Sequence, residues 1–552
     1  MLRSKRDCMD NRTVEEVWPS DYFREKQKET LKVCLDALDA GYKNIVIDAP
    51  VGSGKSVLLT ALSRYADSSF YTTPQKSLRE QIQNDDLLEP FTENLKARRD
   101  YRCSITRENC KDCSIYNDED ESCAEHGCSY WKRKQSVMAS DIAVITFSML
   151  VVDGMIPEFS GETKISFGKR DVVCVDEAHG IVQQTADMHA GFDITPYGYP
   201  DGFISDVTNS VSWEANTYKD VSDELRVIHS KCNNYIRDVP PFEMTSMEKK
   251  MLRLKEKIER AKQDSENGYV WVVNVEGKNY RGRYEKVLEL RPIYVGNFLN
   301  NFIWNRGKRR IISTATLPHR GNPNIWLKQV GLDPEKTKVI SVGMTFPAKN
   351  RPVVLDDMVC SMSNGGDQKN WDSIMEKLNE IAKRYRGMKG ICHTASYDRA
   401  ERVEKSTTKE EHPHLYDNIF VHYGEKEAED VIEEWQASNN DLLLTPSMME
   451  GIDLKGDMGR YNILMKVPYP SKNSRIEYLL NETDYGWNSY FDRAAIRVAQ
   501  AYGRTTRSAE DWSNFIILDK DYEKLKKKAN LPQWLLQGED YVEIGTRSIF
   551  DY

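Results

Sequence analysis

The chain has 552 residues, with 77 basic against 86 acidic side chains for a net charge of −9, and it is 39% hydrophobic and 30% charged. That composition lies outside the disordered regime, and the length predicts about three or four compact units at ~100–200 residues each. An acidic balance argues against a protein that coats nucleic acid non-specifically, while leaving room for a local basic groove.

No apolar run reaches the ~18 residues of a membrane span. The N-terminal stretch MLRSKRDCMDNRTVEEV has no apolar signal core. The expectation is a soluble monomer without a membrane partner: cytoplasmic in a bacterium, an archaeon or the host of a virus, and nuclear in a eukaryote.

The first strand, NIVID (44–48), runs straight into APVGSGKS (49–56) and the helical VLLTAL. Strand, glycine-rich turn and helix start form the geometry of a phosphate-binding loop. Gly52, Ser53 and Gly54 let backbone amides wrap phosphates, Lys55 supplies a point charge, and the Ser56 hydroxyl suits Mg²⁺. The bland alternative is a glycine-rich turn with no nucleotide. SFYTT (69–73), IAVIT (142–146), DVVCV (171–175) and RIIST (310–314) complete a first set of short strands. DVVCV ends in Asp176-Glu177-Ala178-His179, where one carboxylate can hold a metal through water and the next can orient the attacking water. Alone, this tetrapeptide also reads, less readily, as an acidic helix start.

Two interruptions break the first set. One, 97–140, holds five of the eleven cysteines: Cys103, Cys110, Cys113, Cys123 and Cys128. Such clustering in a large chain reads as a metal site rather than a disulfide framework, and the spacing alone leaves zinc and an iron–sulfur cluster both open. The other, 190–290, carries the charged helical stretch 247–264, with Met251, Leu254 and Ile258 at helical spacing. A linker near TFPAKNRP (345–352) leads to a second set: GICHT (390–394), NIFVH (418–422), DLLLT (441–445), NILMKV (462–467) and NFIILD (514–519). Helical patterns between strands predict βα units in parallel sheets.

In the second set SMMEGIDLKGD (447–457) puts Glu450, Gly451 and Asp453 in an acidic turn at a strand end, otherwise an ordinary loop. QAYGRTTRS (500–508) supplies Arg504 and Arg507, suited to a phosphate clamp across a cleft, or else two solvated arginines. The basic segment KLKKKANLPQWLLQ (524–537) carries no legible role.

These motifs, with STATL (313–317), stand in the order and relative spacing of superfamily-two DEAH helicases, and the chain resembles the XPD/DinG branch. FREKQKE (23–29) resembles that branch's Q motif, with Gln27 on adenine and Tyr22 or Phe23 packing beside it. TTPQKSLREQ (72–81) resembles motif Ia and ICHTASY (391–397) motif IV. The resemblance implies two RecA-like α/β motors with a cysteine-rich Fe–S insertion and a mainly helical arch-like insertion in the first. Its boundaries are 1–96 with 141–189 and 291–345 for motor 1, 97–140 for the Fe–S domain, 190–290 for the arch and 346–552 for motor 2.

It implies a catalytic set of Lys55, Asp176, Glu177, His179, Gln500, Arg504 and Arg507. Nucleotide contacts fall to Gln27, Gly52, Ser53, Gly54, Lys55, Ser56, Glu450, Gly451 and Asp453. It also resolves the metal toward a [4Fe–4S] cluster on Cys103, Cys110, Cys113 and Cys128, with Cys123 a spectator or a replacement.

The basic flanks and the rings of Tyr101, Tyr130 and Trp131 suggest a surface where a single strand enters. The implied activity is Mg-ATP-driven 5′–3′ unwinding of forked or tailed DNA, with R-loops a further substrate. A translocase that strips proteins shares every motor residue, and a structural ATP-binding subunit is the third alternative.

Overall fold

A computed structural model describes residues 12–103, 107–110, 127–155, 166–195, 198–200, 202–210, 221–239, 244–280, 283–319, 321–424, 426, 428–446, 454–506 and 508–544. The first α/β unit is a seven-stranded sheet in the order β10-β1-β9-β5-β2-β4-β3, with every pairing parallel. Its strands are β1 Asn44–Asp48, β2 Ser69–Thr73, β3 Glu93–Asn94, β4 Ile142–Thr146, β5 Arg170–Val175, β9 Gly307–Thr314 and β10 Thr337–Ser341. Period-two alternation feeds two cores: Val46, Phe70, Ile145 and Val173 face one side, and Ile45, Ile47, Tyr71, Val144 and Val172 the other. A sheet buried on both faces needs such continuous apolar strands, which the five expected ones supply.

The order of the central strands places the motifs. β9 lies between β1 and β5, pairing Asp48 with Thr314 and Val175 with Ile312. The phosphate loop after β1, STATL at the end of β9 and DEAH after β5 therefore emerge side by side.

The second unit is a six-stranded parallel sheet, β11-β16-β15-β12-β14-β13. It comprises β11 Val353–Val354, β12 Gly390–His393, β13 Ile419–Val421, β14 Leu442–Thr445, β15 Tyr461–Leu464 and β16 Asn514–Ile517. NILMKV stops pairing at Leu464, because Met465 and Val467 turn into the loop that leads to the helix Ser474–Glu482.

The 190–290 insertion keeps its helix: Ser246–Glu266 starts on a Thr245–Glu248 capping box and buries Met251, Leu254, Ile258 and Ala261. It also holds an antiparallel sheet, β6-β8-β7, from Phe192–Ile194, Arg283–Pro292 and Trp271–Tyr280. The expectation of mainly helix omits these strands. Trp271 and Val273 alternate inward on β7, and Leu288 and Leu290 do so on β8, where Glu289 and Arg291 take the other face.

The segment 524–537 is not a solvated tail. Leu525, Leu531, Trp534 and Leu535 are buried in the core of motor 2. The Trp534 ring stacks on Tyr502 with centroids 5.5 Å apart, and Arg351 donates to the Trp534 carbonyl. Among the described residues no helix is long and apolar enough to cross a membrane.

Trp534→Ala should lower stability by about 3–5 kcal/mol, the usual cost of deleting a large buried ring. Denaturant unfolding should show the loss in the transition that reports motor 2.

Candidate active site

Gly52 (φ 80°) and Gly54 (φ 83°) take the left-handed backbone that the loop needs, and Gly54 caps the helix Lys55–Arg64. Gln27 lies buried against this loop, its amide donating to the Ser53 carbonyl at 3.1 Å and accepting from Arg24 N–H at 2.8 Å. Phe23 stacks on Trp18 at 4.5 Å, while Tyr22 is exposed.

Lys55 is buried, and its Nζ stands 3.2 Å from Glu177 Oε1. Asp176 sits at the tip of β5, accepting from Tyr71 Oη at 3.0 Å, from Ser313 Oγ and from the Glu177 amide at 2.9 Å. Ser56 is also within hydrogen-bonding reach of the Tyr71 hydroxyl. The two groups suited to Mg²⁺, Ser56 and Asp176, thus converge on one phenol.

Burial raises the Asp176 carboxyl, and the Glu177 charge adds to it. Burial also acts to raise Glu177, but Lys55, His179 and Arg504 outweigh it and hold that carboxyl well below the carboxylate range. Glu177 is therefore ionised, and it takes a left-handed backbone (φ 49°) uncommon for a non-glycine residue.

Motor 2 reaches this site through the helix Gly486–Tyr502. Gln500 Nε2 lies 2.6 Å from His179 Nε2, and His179 Nδ1 lies 3.4 Å from Glu177 Oε2. The tautomer that fits puts the proton on Nδ1 toward Glu177 and lets Nε2 accept from the amide. Arg504 acts on Glu177 electrostatically across the cleft. The approach is close: a side chain at Gly503 would meet Val51 Cγ2 of the phosphate loop at 2.9 Å.

Of the expected residues, Gln27, Gly52, Ser53, Gly54, Lys55, Ser56, Asp176, Glu177, His179, Gln500 and Arg504 gather here. Arg507, Glu450, Gly451 and Asp453 lie outside the described residues, as do Cys113, Cys123 and the acidic stretch 118–121. Sequence reasoning missed Tyr71, an interior strand residue with no motif to mark it, and the role of Ser313, which sat inside STATL in plain view.

Around the cysteines, Arg102 and Asn109 bridge two antiparallel segments, with Cys103 N–H donating to Glu108 O at 2.8 Å and Cys110 N–H to Tyr101 O at 2.9 Å. The Cys110 and Cys128 thiols are within hydrogen-bonding reach of each other. Among the described residues no group of three or more metal-ligating side chains is gathered.

The expected aromatic surface is not available. Tyr130 and Trp131 are buried, and Tyr101 packs edge-on against Tyr130 at 5.4 Å. Much of the flanking charge is also used internally. Arg133 pairs with Glu93 at 2.6 Å, Arg98 donates to Cys110 O at 2.9 Å, and Lys134 is buried over Trp131 and Phe167. Arg99, Arg102 and Lys132 remain exposed.

The cleft between the two units holds a cavity of about 1020 Å³ lined by Glu177 and His179 of the DEAH segment and by Gln183, Arg399, Arg493 and Arg497 among others. Two parallel sheets with a phosphate loop, an adjacent acidic strand tip and an arginine that follows a helix of the second unit define a two-domain P-loop nucleotide site.

Comparison with known proteins narrows that class. The family "Type III restriction enzyme, res subunit" matches residues 21–197, and "Helicase C-terminal domain" matches 379–538. Over 94 residues the chain is 37% identical to the XPD helicase subunit of the general transcription and DNA repair factor IIH of Dictyostelium discoideum, covering 16% of this chain and 12% of that one. It is 22% identical over 258 residues to the ATP-dependent DNA helicase DinG of Photobacterium profundum, covering 44% and 36%. The chain thus spans between about an eighth and a third of the length of these curated relatives. A solved XPD helicase superposes with a TM-score of 0.58 at 16% identity, over 93% of this chain and all of that one, a likeness of fold. Parts of the chain are thus similar in sequence to XPD and DinG helicases, and its fold is like that of a solved XPD helicase.

Gly54→Ala is strained at φ 83° and would set a methyl 2.2 Å from Gln27 Nε2. It should weaken ATP binding roughly tenfold or more while leaving circular dichroism unchanged, as a titration with fluorescent nucleotide would measure.

Proposed function

We propose that this chain is an ATP-dependent DNA helicase that hydrolyses Mg-ATP between its two motors and moves along single-stranded DNA. The observation that carries the reading is the convergence of Lys55, Asp176 and Glu177 with Gln500 and Arg504 from the opposite motor. Lys55 and the loop amides would hold the β- and γ-phosphates. Glu177, kept ionised, would orient the attacking water, and Arg504 would stabilise charge on the transferred phosphoryl group. Ser56 and Asp176 would hold Mg²⁺, which neutralises phosphate charge when bound. A nucleotide must displace the Lys55–Glu177 pair, which frees the carboxylate as the phosphates take the lysine.

The cavity in the cleft, which Glu177 and His179 also line, would take a single strand. Arg399, Lys466, Arg493 and Arg497 line it, and half-exposed Trp487, with Lys472 Nζ 6.0 Å from its ring centroid, offers a base-stacking surface close by. Contacts through phosphate and stacking give weak sequence preference. The 5′–3′ polarity and the preference for forked or tailed DNA follow the family resemblance.

The same reading assigns a [4Fe–4S] cluster to Cys103, Cys110, Cys113 and Cys128. The nearness of Cys110 to Cys128, with Cys103 on the adjoining bridged segment, supports it. When bound, the cluster would tie the two ends of the 97–140 lobe together.

Steady-state ATPase should rise at least severalfold with single-stranded DNA, and Glu177→Gln should cut turnover ~10²-fold or more while ATP still binds. No stimulation by DNA would end the helicase reading; stimulation without unwinding of a tailed duplex would favour a translocase. Protein purified without air should carry about four iron and four acid-labile sulfide per chain. Stoichiometric zinc would overturn the cluster and leave the motor standing.

A further inference from the structure

The helix Gly486–Tyr502 touches motor 1 at two points. Ser489 and Gln500 are eleven residues apart, about three turns and ~16 Å along the axis, so they share one face, with Arg493 between them. Gln500 meets His179 of the DEAH segment. Ser489 and Asp492 meet His319, which lies just beyond STATL, the segment whose Ser313 hydroxyl donates to Asp176.

His319 is held by several polar contacts. Its backbone N–H donates to Asp492 Oδ2 at 3.0 Å, its Nδ1 lies 3.4 Å from the same oxygen, and its Nε2 lies 2.9 Å from Ser489 Oγ. Tyr485 packs edge-on against the ring at 6.1 Å. Burial pushes the imidazole down to about 4, with Arg493 acting in the same direction, so the ring is neutral near pH 7. Its single proton then faces Asp492 from Nδ1, and Nε2 accepts from the Ser489 hydroxyl. The backbone at His319 is left-handed (φ 52°), a conformation that persists in a non-glycine residue only where the surroundings over-determine it.

The geometry points to His319, with Ser489 and Asp492, as a positioning device that fixes the axial and rotational setting of the 486–502 helix on motor 1. That setting brings Gln500 and Arg504 onto the DEAH segment. His319, Ser489, Asp492, Arg493 and Arg497 all line the inter-motor cavity. An anionic strand drawn onto Arg493 and Arg497 therefore bears on the same helix that carries Gln500 to the nucleotide, and the clasp passes occupancy of the cavity to the hydrolytic site. These are positioning residues: none of them touches the residues proposed to hold phosphate. The inference rests on the ATPase reading above.

The test compares Ser489→Ala, Ser489→Thr, His319→Asn and the double variant Ser489→Ala/His319→Asn in the full chain. Alanine suits a helix interior and asparagine tolerates the left-handed backbone, so each variant should fold. DNA-stimulated kcat should fall on the order of tenfold in Ser489→Ala and in His319→Asn, with KM for ATP within about twofold. Ser489→Thr, which keeps the hydroxyl, should stay close to the parent, and the double should be no worse than the weaker single, as expected of two groups acting as one contact. Amide hydrogen exchange should quicken in both 313–319 and 486–502 in the impaired variants. Losses that multiply in the double, a rise in KM with kcat intact, or unchanged exchange in those segments would each overturn the proposal. A parent chain without DNA-stimulated ATPase would instead sink the functional reading, and the exchange pattern alone would then decide the clasp.

Discussion

Two neighbouring carboxylates at a buried strand tip repel each other and lose their hydration, so they can stand there only beside compensating charge and hydrogen-bond donors. Lys55 is that charge for Glu177, and Tyr71 and Ser313 are the donors for Asp176. Each partner comes from a different strand: Lys55 follows β1, Tyr71 lies within β2, Ser313 in β9, and the acids follow β5. Only an order with β9 between β1 and β5, and with β2 on the other side of β5, sets all of them around one point. The parallel sheet is thus the scaffold that this charge arrangement requires.

Motor 2 answers with a helix rather than a strand. Its end carries Gln500 to His179, and its last residue, Tyr502, is braced from behind by Trp534 and by Arg351 Nη1 at 3.0 Å. The bracing is tight, since a side chain at Gly538 would fall 2.5 Å from Tyr502 Oη. Residues far along the chain therefore hold the delivery of Arg504 steady.

The local part of this arrangement was legible in the sequence. NIVID followed by APVGSGKS, and DVVCV followed by DEAH, each encode strand, turn and charge within a dozen residues. All ten short strands expected are present, because β strands buried on both faces must be apolar throughout. What was illegible depends on contacts across long separations. Nothing around Tyr71 marks it as a donor to a carboxylate 105 residues later, and His319 lies about 170 residues from both Ser489 and Asp492. The rings of Tyr101 and Tyr130 misled for a related reason: composition shows aromatics beside basic residues, but not that these two pack into the core under the first sheet. The strands at 271–292 were hidden by the charges on the second of them, although the inward alternation of Trp271 and Val273 was there to be counted.

The insertion is covalently part of motor 1, yet motor 2 grips its base. Arg475, buried, donates to Pro292 O at 2.9 Å, Ile293 O at 3.3 Å and Gln183 Oε1 at 3.1 Å, while Leu479 packs between Val272 and Ile293. A cleft that opens must either tear this grip, stranding carbonyls and a guanidinium, or drag the antiparallel sheet along. The insertion is thereby pinned at its base to both α/β units, so neither unit holds it alone.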